Sequence, residues 1–152
     1  ADLILSDPQF LQLNDWDSQE FSQNLKRSLI DAQNHGLDAS LFFLEVAESS
    51  HSEALLHLIE GSRRGLDLQR RVTNQRGNSC VLVLLPLTSA EGAQGYLFRL
   101  NTLINERFGM AQTLESLEVR VSAHDLGVGN GHDALRRFLY NECALNDQQV
   151  AI

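Results

Sequence analysis

Five arginines fall between residues 63 and 86: Arg63, Arg64, Arg70, Arg71 and Arg76. Asp67 stands three positions after Arg64, making an Arg-x-x-Asp, and Arg99 follows further along. A guanidinium is a planar fork that bonds bidentately to phosphate or to the O6/N7 edge of guanine, and it stacks on a base as well. A neighbouring carboxylate adds an acceptor for ring and exocyclic N–H groups. The pair therefore suits an anionic ligand that also presents donors.

The rest of the chain sets limits on that ligand. A net charge of -8 argues against broad binding to DNA or RNA, which needs a surplus of Lys and Arg to neutralise phosphates. With five of the 12 basic residues in one short stretch, positive charge is local on an acidic background, so an anion has to be held locally. Other constellations are weaker. His51 and His57 are six apart and off a single helical face, and only Glu53 and His57 have the i, i+4 spacing, so no metal is expected. No Gly-x-Ser-x-Gly elbow occurs, and Gly127-Val-Gly-Asn-Gly131 lacks the Lys of a phosphate loop and reads as a connection. Arg63, Arg70 and Arg76 read first as solvated surface, and Arg71 as a brace for the hairpin.

The elements that position these residues are legible from periodicity. At 152 residues and 43% hydrophobic, one domain with a real core is expected; Cys80 and Cys143 read as reduced, structural thiols. Residues 1–16 have no clear period and read as a lead-in, so the domain is expected over 17–152. The Ala1 start without Met is expected of a piece of a longer protein. Asp17 with Glu20 looks like a capping pair opening a helix through Phe21, Leu25, Leu29 and Ala32, which ends at Gly36. Residues 39–46 read as a buried strand. Ser50 with Glu53 caps a second helix carrying Ala54, Leu55, Leu58 and Ile59. Strands at 66–73 and 80–85 form a hairpin about a turn at 74–78. Thr88 with Glu91 caps a third helix with Ala93, Leu97, Leu100, Ile104 and Phe108 on its inner face. Arg99, about 200° from Leu97, and Tyr96 are then expected to face outward. A strand through Leu117, Val119 and Val121 and a helix through Leu135, Phe138 and Leu139 complete an α+β order with a βαββαβ core of the ferredoxin-like kind and flanking helices. No apolar run approaches the roughly 20 residues that span a bilayer, so no membrane contact by this stretch is expected.

This ordered set resembles a GGDEF domain, the nucleotide-cyclase-like fold of diguanylate cyclases, in degenerate form. The features that carry it are Arg64, Asp67, Arg71, the turn Arg76-Gly77-Asn78-Ser79-Cys80, the apolar strand ending in Leu85-Pro86, and the Thr88-Ser89-Ala90-Glu91 helix start. Where the family carries Gly-Gly-Asp/Glu-Glu-Phe, this chain has lost both acidic positions. Asn78 and Ser79 cannot hold divalent metal on GTP phosphates, and Glu45, at the family's metal-binding position on the first strand, is a lone carboxylate. The resemblance thus implies no cyclase activity. The Arg-x-x-Asp corresponds to the family's inhibitory site, which binds the product cyclic di-GMP.

Within the family the chain is most similar to PelD-type GGDEF-like domains, on Arg64-Gly65-Leu66-Asp67 and on Glu91-Gly92-Ala93-Gln94-Gly95-Tyr96-Leu97-Phe98-Arg99-Leu100. That type implies a cyclic di-GMP receptor controlling Pel-like exopolysaccharide production, cytoplasmic within a protein anchored at the inner membrane. A neighbouring domain and the secretion machinery are its implied partners. An arginine on the third helix joins the Arg-x-x-Asp in such receptors, so Arg64, Asp67 and Arg99 are the expected ligands. Tyr96 is the expected stacking platform for a guanine, and Arg63 and Arg71 are further contacts. The alternative is a degenerate domain used only for protein contacts.

Overall fold

The computed structural model describes residues 8–127, 129–150 and 152. Its elements in order are α1 (Pro8–His35), β1 (Ala39–Val46), α2 (Ser52–Gly61), β2 (Leu68–Thr73), β3 (Ser79–Pro86), α3 (Ala90–Phe108), β4 (Val119–Asp125) and α4 (His132–Arg137), which runs into a π-helical turn at Phe138–Glu142. The four strands form one antiparallel sheet in the order β2-β3-β1-β4. With α2 and α3 as its crossovers, this is the expected βαββαβ arrangement.

β1 and β3 are central because they are largely apolar, with only Ser40, Glu45 and Ser79 as polar members, and every residue of β1 is buried. Alternation divides them between two cores. Leu41 and Phe43, with Leu82 and Leu84 of β3, face α1, α4 and the C-terminal segment. Phe42 and Leu44, with Val81, Val83 and Leu85, face α2 and α3. Burying each such side chain stabilises by about 1.5–3 kcal/mol, so the sheet is fixed from both sides.

Several boundaries differ from the sequence reading. α1 starts at Pro8, nine positions ahead of the expected Asp17, with proline where its missing N–H costs nothing. Of the expected lead-in, residues 1–7 lie outside the described residues and 8–16 are helix. The inner stripe of Phe21, Leu25, Leu29 and Ala32 is as expected, and Gly36 ends the helix at φ 65, with its N–H donating to Ala32 O at 3.1 Å. α2 begins one position after His51, which makes no side-chain cap; Ser49 organises that turn instead, its Oγ accepting from the His51 N–H. α3 is capped by Ser89 and not Thr88: Ser89 Oγ accepts from the Gly92 N–H at 3.1 Å. Ser89→Ala is expected to lower stability by about 1 kcal/mol, read as a shift in the urea midpoint, while Thr88→Ala leaves that cap intact.

Tyr96 is the largest departure. The buried lane of α3 is Ala93, Tyr96, Leu100 and Ile104, with Leu97 only partly buried beside it. Spacings of three, four and four keep that lane on one face, and it carries Tyr96 inward onto β1. Its ring stacks on Phe42 with centroids 5.4 Å apart, and the residue is 4% exposed.

Candidate functional site

The arginine loop is shaped by what ends α2. Ser62 closes the helix, its Oγ donating to Ile59 O at 2.6 Å. The Arg-x-x-Asp then folds on itself: the Asp67 N–H donates to Arg64 O at 2.9 Å, and Asp67 Oδ2 accepts from the Arg64 N–H at 3.2 Å. Arg63 braces the same turn, its Nε donating to Asp67 O at 2.8 Å. The Arg64 guanidinium is exposed and has no hydrogen-bond or ion-pair partner among the described residues. A free fork thus stands beside a carboxylate whose second oxygen has no hydrogen-bond partner among the described residues.

Arg99 reaches this loop from the middle of α3. Its Nη2 donates to Ser62 O at 2.8 Å, and its guanidinium carbon lies 5.3 Å from the centre of the Tyr96 ring. Arg64, Asp67 and Arg99 are therefore gathered at one corner, where α2 runs into β2 alongside α3. Tyr96 lies beneath that corner and not on its surface, so it offers no open face to a base. Burial pushes its hydroxyl up to about 12, with Asp67 adding to the shift and Ser62 opposing it, and the oxygen has no hydrogen-bond partner among the described residues.

The other arginines are engaged elsewhere. Arg71 turns to α2 and pairs with Glu60 at 3.0 Å and Glu53 at 3.5 Å. Arg70 is partly buried and donates to Gln149 O at 3.1 Å. Arg76 is no solvated bystander: its Nε and Nη2 grip Glu45 bidentately at 3.0 and 2.8 Å, and Nη2 also donates to Glu142 O. Glu45 is 4% exposed and receives two more bonds, from the Asn74 and Asn78 amides, both at 2.8 Å. Burial alone would raise its pKa. Hydrogen bonds from Arg76, Asn78 and Asn74, with the charge of Arg76, outweigh that and hold it at about 2. Asn74 also shapes the turn, its Oδ1 accepting from the Arg76 and Asn78 N–H groups, while Gly77 takes the φ of 80 that the turn requires.

Residues 17–142 match the PelD GGDEF domain family. The chain belongs to that family. Among solved structures it is similar to a PelD fragment from Pseudomonas aeruginosa PA14 in complex with c-di-GMP, at 56% identity and a TM-score of 0.88 over 91% of this chain and 50% of that one. The apo form of that fragment matches at 56% identity and a TM-score of 0.85, over 89% of this chain and 48% of the other. PelD from P. aeruginosa PAO1 matches at 57% and 0.87, over 99% and 52%. The chain thus spans about half the length of these relatives. No curated protein sequence matches it.

In this PelD GGDEF domain the buried Glu45 carboxylate on β1 is neutralised by the Arg76 guanidinium from the turn. Among the described residues no three His, Cys, Asp or Glu side chains gather as metal ligands, and no helix is long and apolar enough to cross a membrane. His57 meets Glu53 at 3.6 Å, while His51 packs edge-on against Phe108. Two features escaped the sequence reading: the Ser62 carbonyl as a seat for Arg99, and the Asn74–Arg76–Asn78 cage around Glu45. The second had a signal, because a glutamate inside an apolar strand needs partners.

Proposed function

We propose that this chain is a noncatalytic cyclic di-GMP receptor domain, acting through residues 17–152, with Arg64, Asp67 and Arg99 as its ligand contacts. The observation that carries this reading is the 56% identity, over 91% of the chain, to a PelD fragment captured with c-di-GMP. The chemistry at the corner fits: an unengaged guanidinium, a carboxylate oxygen without a partner and a second arginine whose remaining donors are unspent match two phosphates and a guanine edge. The turn supports the absence of cyclase activity, since Asn78 and Ser79 carry no charge and Glu45 is saturated by protein donors.

The domain works in the cytoplasm, within a longer protein held at the inner membrane. It passes ligand occupancy to a neighbouring domain and to the machinery that makes and exports a Pel-like exopolysaccharide. Ligand shifts those contacts only by its differential affinity for the two states. Calorimetry on the chain is expected to show saturable heat with cyclic di-GMP, and incubation with GTP and Mg²⁺ or Mn²⁺ is expected to yield no cyclic dinucleotide. Absence of heat at high micromolar ligand would leave a module for protein contacts and sink the receptor reading. Product from GTP would overturn the noncatalytic one.

A further inference from the structure

We infer that Tyr96 is a positioning residue for the ligand-binding arginine Arg99, acting from beneath the site through its ring; this rests on the receptor reading above. Three observations carry it. Tyr96 is 4% exposed, so its ring cannot receive a base. The Arg99 guanidinium lies over that ring at 5.3 Å, within the distance at which the negative face of an aromatic attracts a cation. The ring is itself fixed, stacked on Phe42 at 5.4 Å and 23°, and Phe42 belongs to the central strand β1 and is 1% exposed.

A stack therefore runs from the middle of the sheet through Tyr96 to Arg99. An arginine on a helix surface samples many rotamers, and a ligand that binds it has to freeze them. Arg99 is already held at two points, by the ring and by Ser62 O at 2.8 Å. One of its five N–H donors is used by Ser62, and the others remain for an anion. The bond that Arg99 donates goes to Ser62 O, and its contact with Tyr96 is with the ring, so the ring and not the oxygen does the positioning. That separates the role from a hydrogen-bonding one.

The test compares Tyr96→Phe, which keeps the ring, with Tyr96→Leu, which keeps apolar bulk and loses it, using calorimetry with cyclic di-GMP and the side-chain Nε–Hε NMR signal of Arg99 in the free chain. The Phe variant is expected to bind within about threefold of wild type and the Leu variant about tenfold more weakly. The Arg99 signal should be shifted by the ring in wild type and Tyr96→Phe and return to the position of a free arginine in Tyr96→Leu. In an Arg99→Ala background, Tyr96→Leu should cost no further affinity. Wild-type affinity in Tyr96→Leu, or an undiminished loss in the Arg99→Ala background, overturns the positioning role while leaving the receptor reading standing. An Arg99 signal without ring shift in the wild-type chain overturns it even if the Leu variant fails to fold. No binding by the wild-type chain overturns the receptor reading and the inference with it.

Discussion

Glu45→Ala is expected to destabilise the chain by about 3 kcal/mol at pH 7, at the lower end of the range for breaking a buried ion pair by removing one partner. The lower end applies because Arg76, with its side chain 37% exposed, can turn to water once released. Asn74, which is buried, cannot, and it loses its 2.8 Å acceptor. The same cage makes stability depend on pH. Glu45 falls from an ordinary 4.5 to about 2 on folding, a difference of roughly 3 kcal/mol. Because the folded value is the lower one, the contribution is complete above about pH 4.5 and is lost as pH falls through 2. Urea unfolding of wild type and Glu45→Ala at pH 7 checks the first statement, and wild type against Glu45→Gln at pH 7, 4 and 2.5 checks the second: the gap between that pair should narrow steadily as the solution is acidified. A gap that does not change with pH would mean that Glu45 contributes by packing alone.

Arg64→Ala and Arg99→Ala are each expected to weaken cyclic di-GMP about 30- to 100-fold, the range for losing charge-assisted hydrogen bonds worth about 2–3 kcal/mol. Arg71→Ala should leave affinity within about twofold, because its guanidinium is committed to Glu60 and Glu53 on the flank of α2. Arg76→Ala should lower the melting temperature and leave binding alone, since its partners are Glu45 and Glu142 O. Titration calorimetry of the four variants separates these outcomes. Unchanged affinity in both Arg64→Ala and Arg99→Ala would move the site elsewhere.

Much of the fold was legible because it rests on local periodicity. The strand at 39–46 and the hairpin about 74–78 appear where apolar runs and turn chemistry put them, and β3 is longer than expected by one residue at each end. The start of α1 was not legible, because residues 8–16 show no helical stripe and are helical all the same. Tyr96 was assigned to the wrong face for a related reason. Leu97 and Tyr96 are adjacent, both could belong to the inner lane, and which of them packs on the sheet is decided by Phe42 across the interface. At the candidate site, the placing of Arg64 and Asp67 together in one turn could be read from their spacing. The contact of Arg99 with Ser62 joins residues 37 apart and depends on how α3 crosses the end of α2. The cage around Glu45 likewise depends on a hairpin, a strand and the C-terminal turn meeting at one point.

The two ends of β2 carry separate sets of contacts. The strand is six residues long, so about 20 Å of rigid backbone separates the arginine loop at its start from the Asn74–Asn78 turn at its finish. Substitutions at one corner share no partner with residues at the other, and over that distance their effects add independently. Selection can thus act on each corner separately. A change of partners at the turn therefore makes the hairpin firmer or looser there and leaves the arginine loop at the other corner as it was.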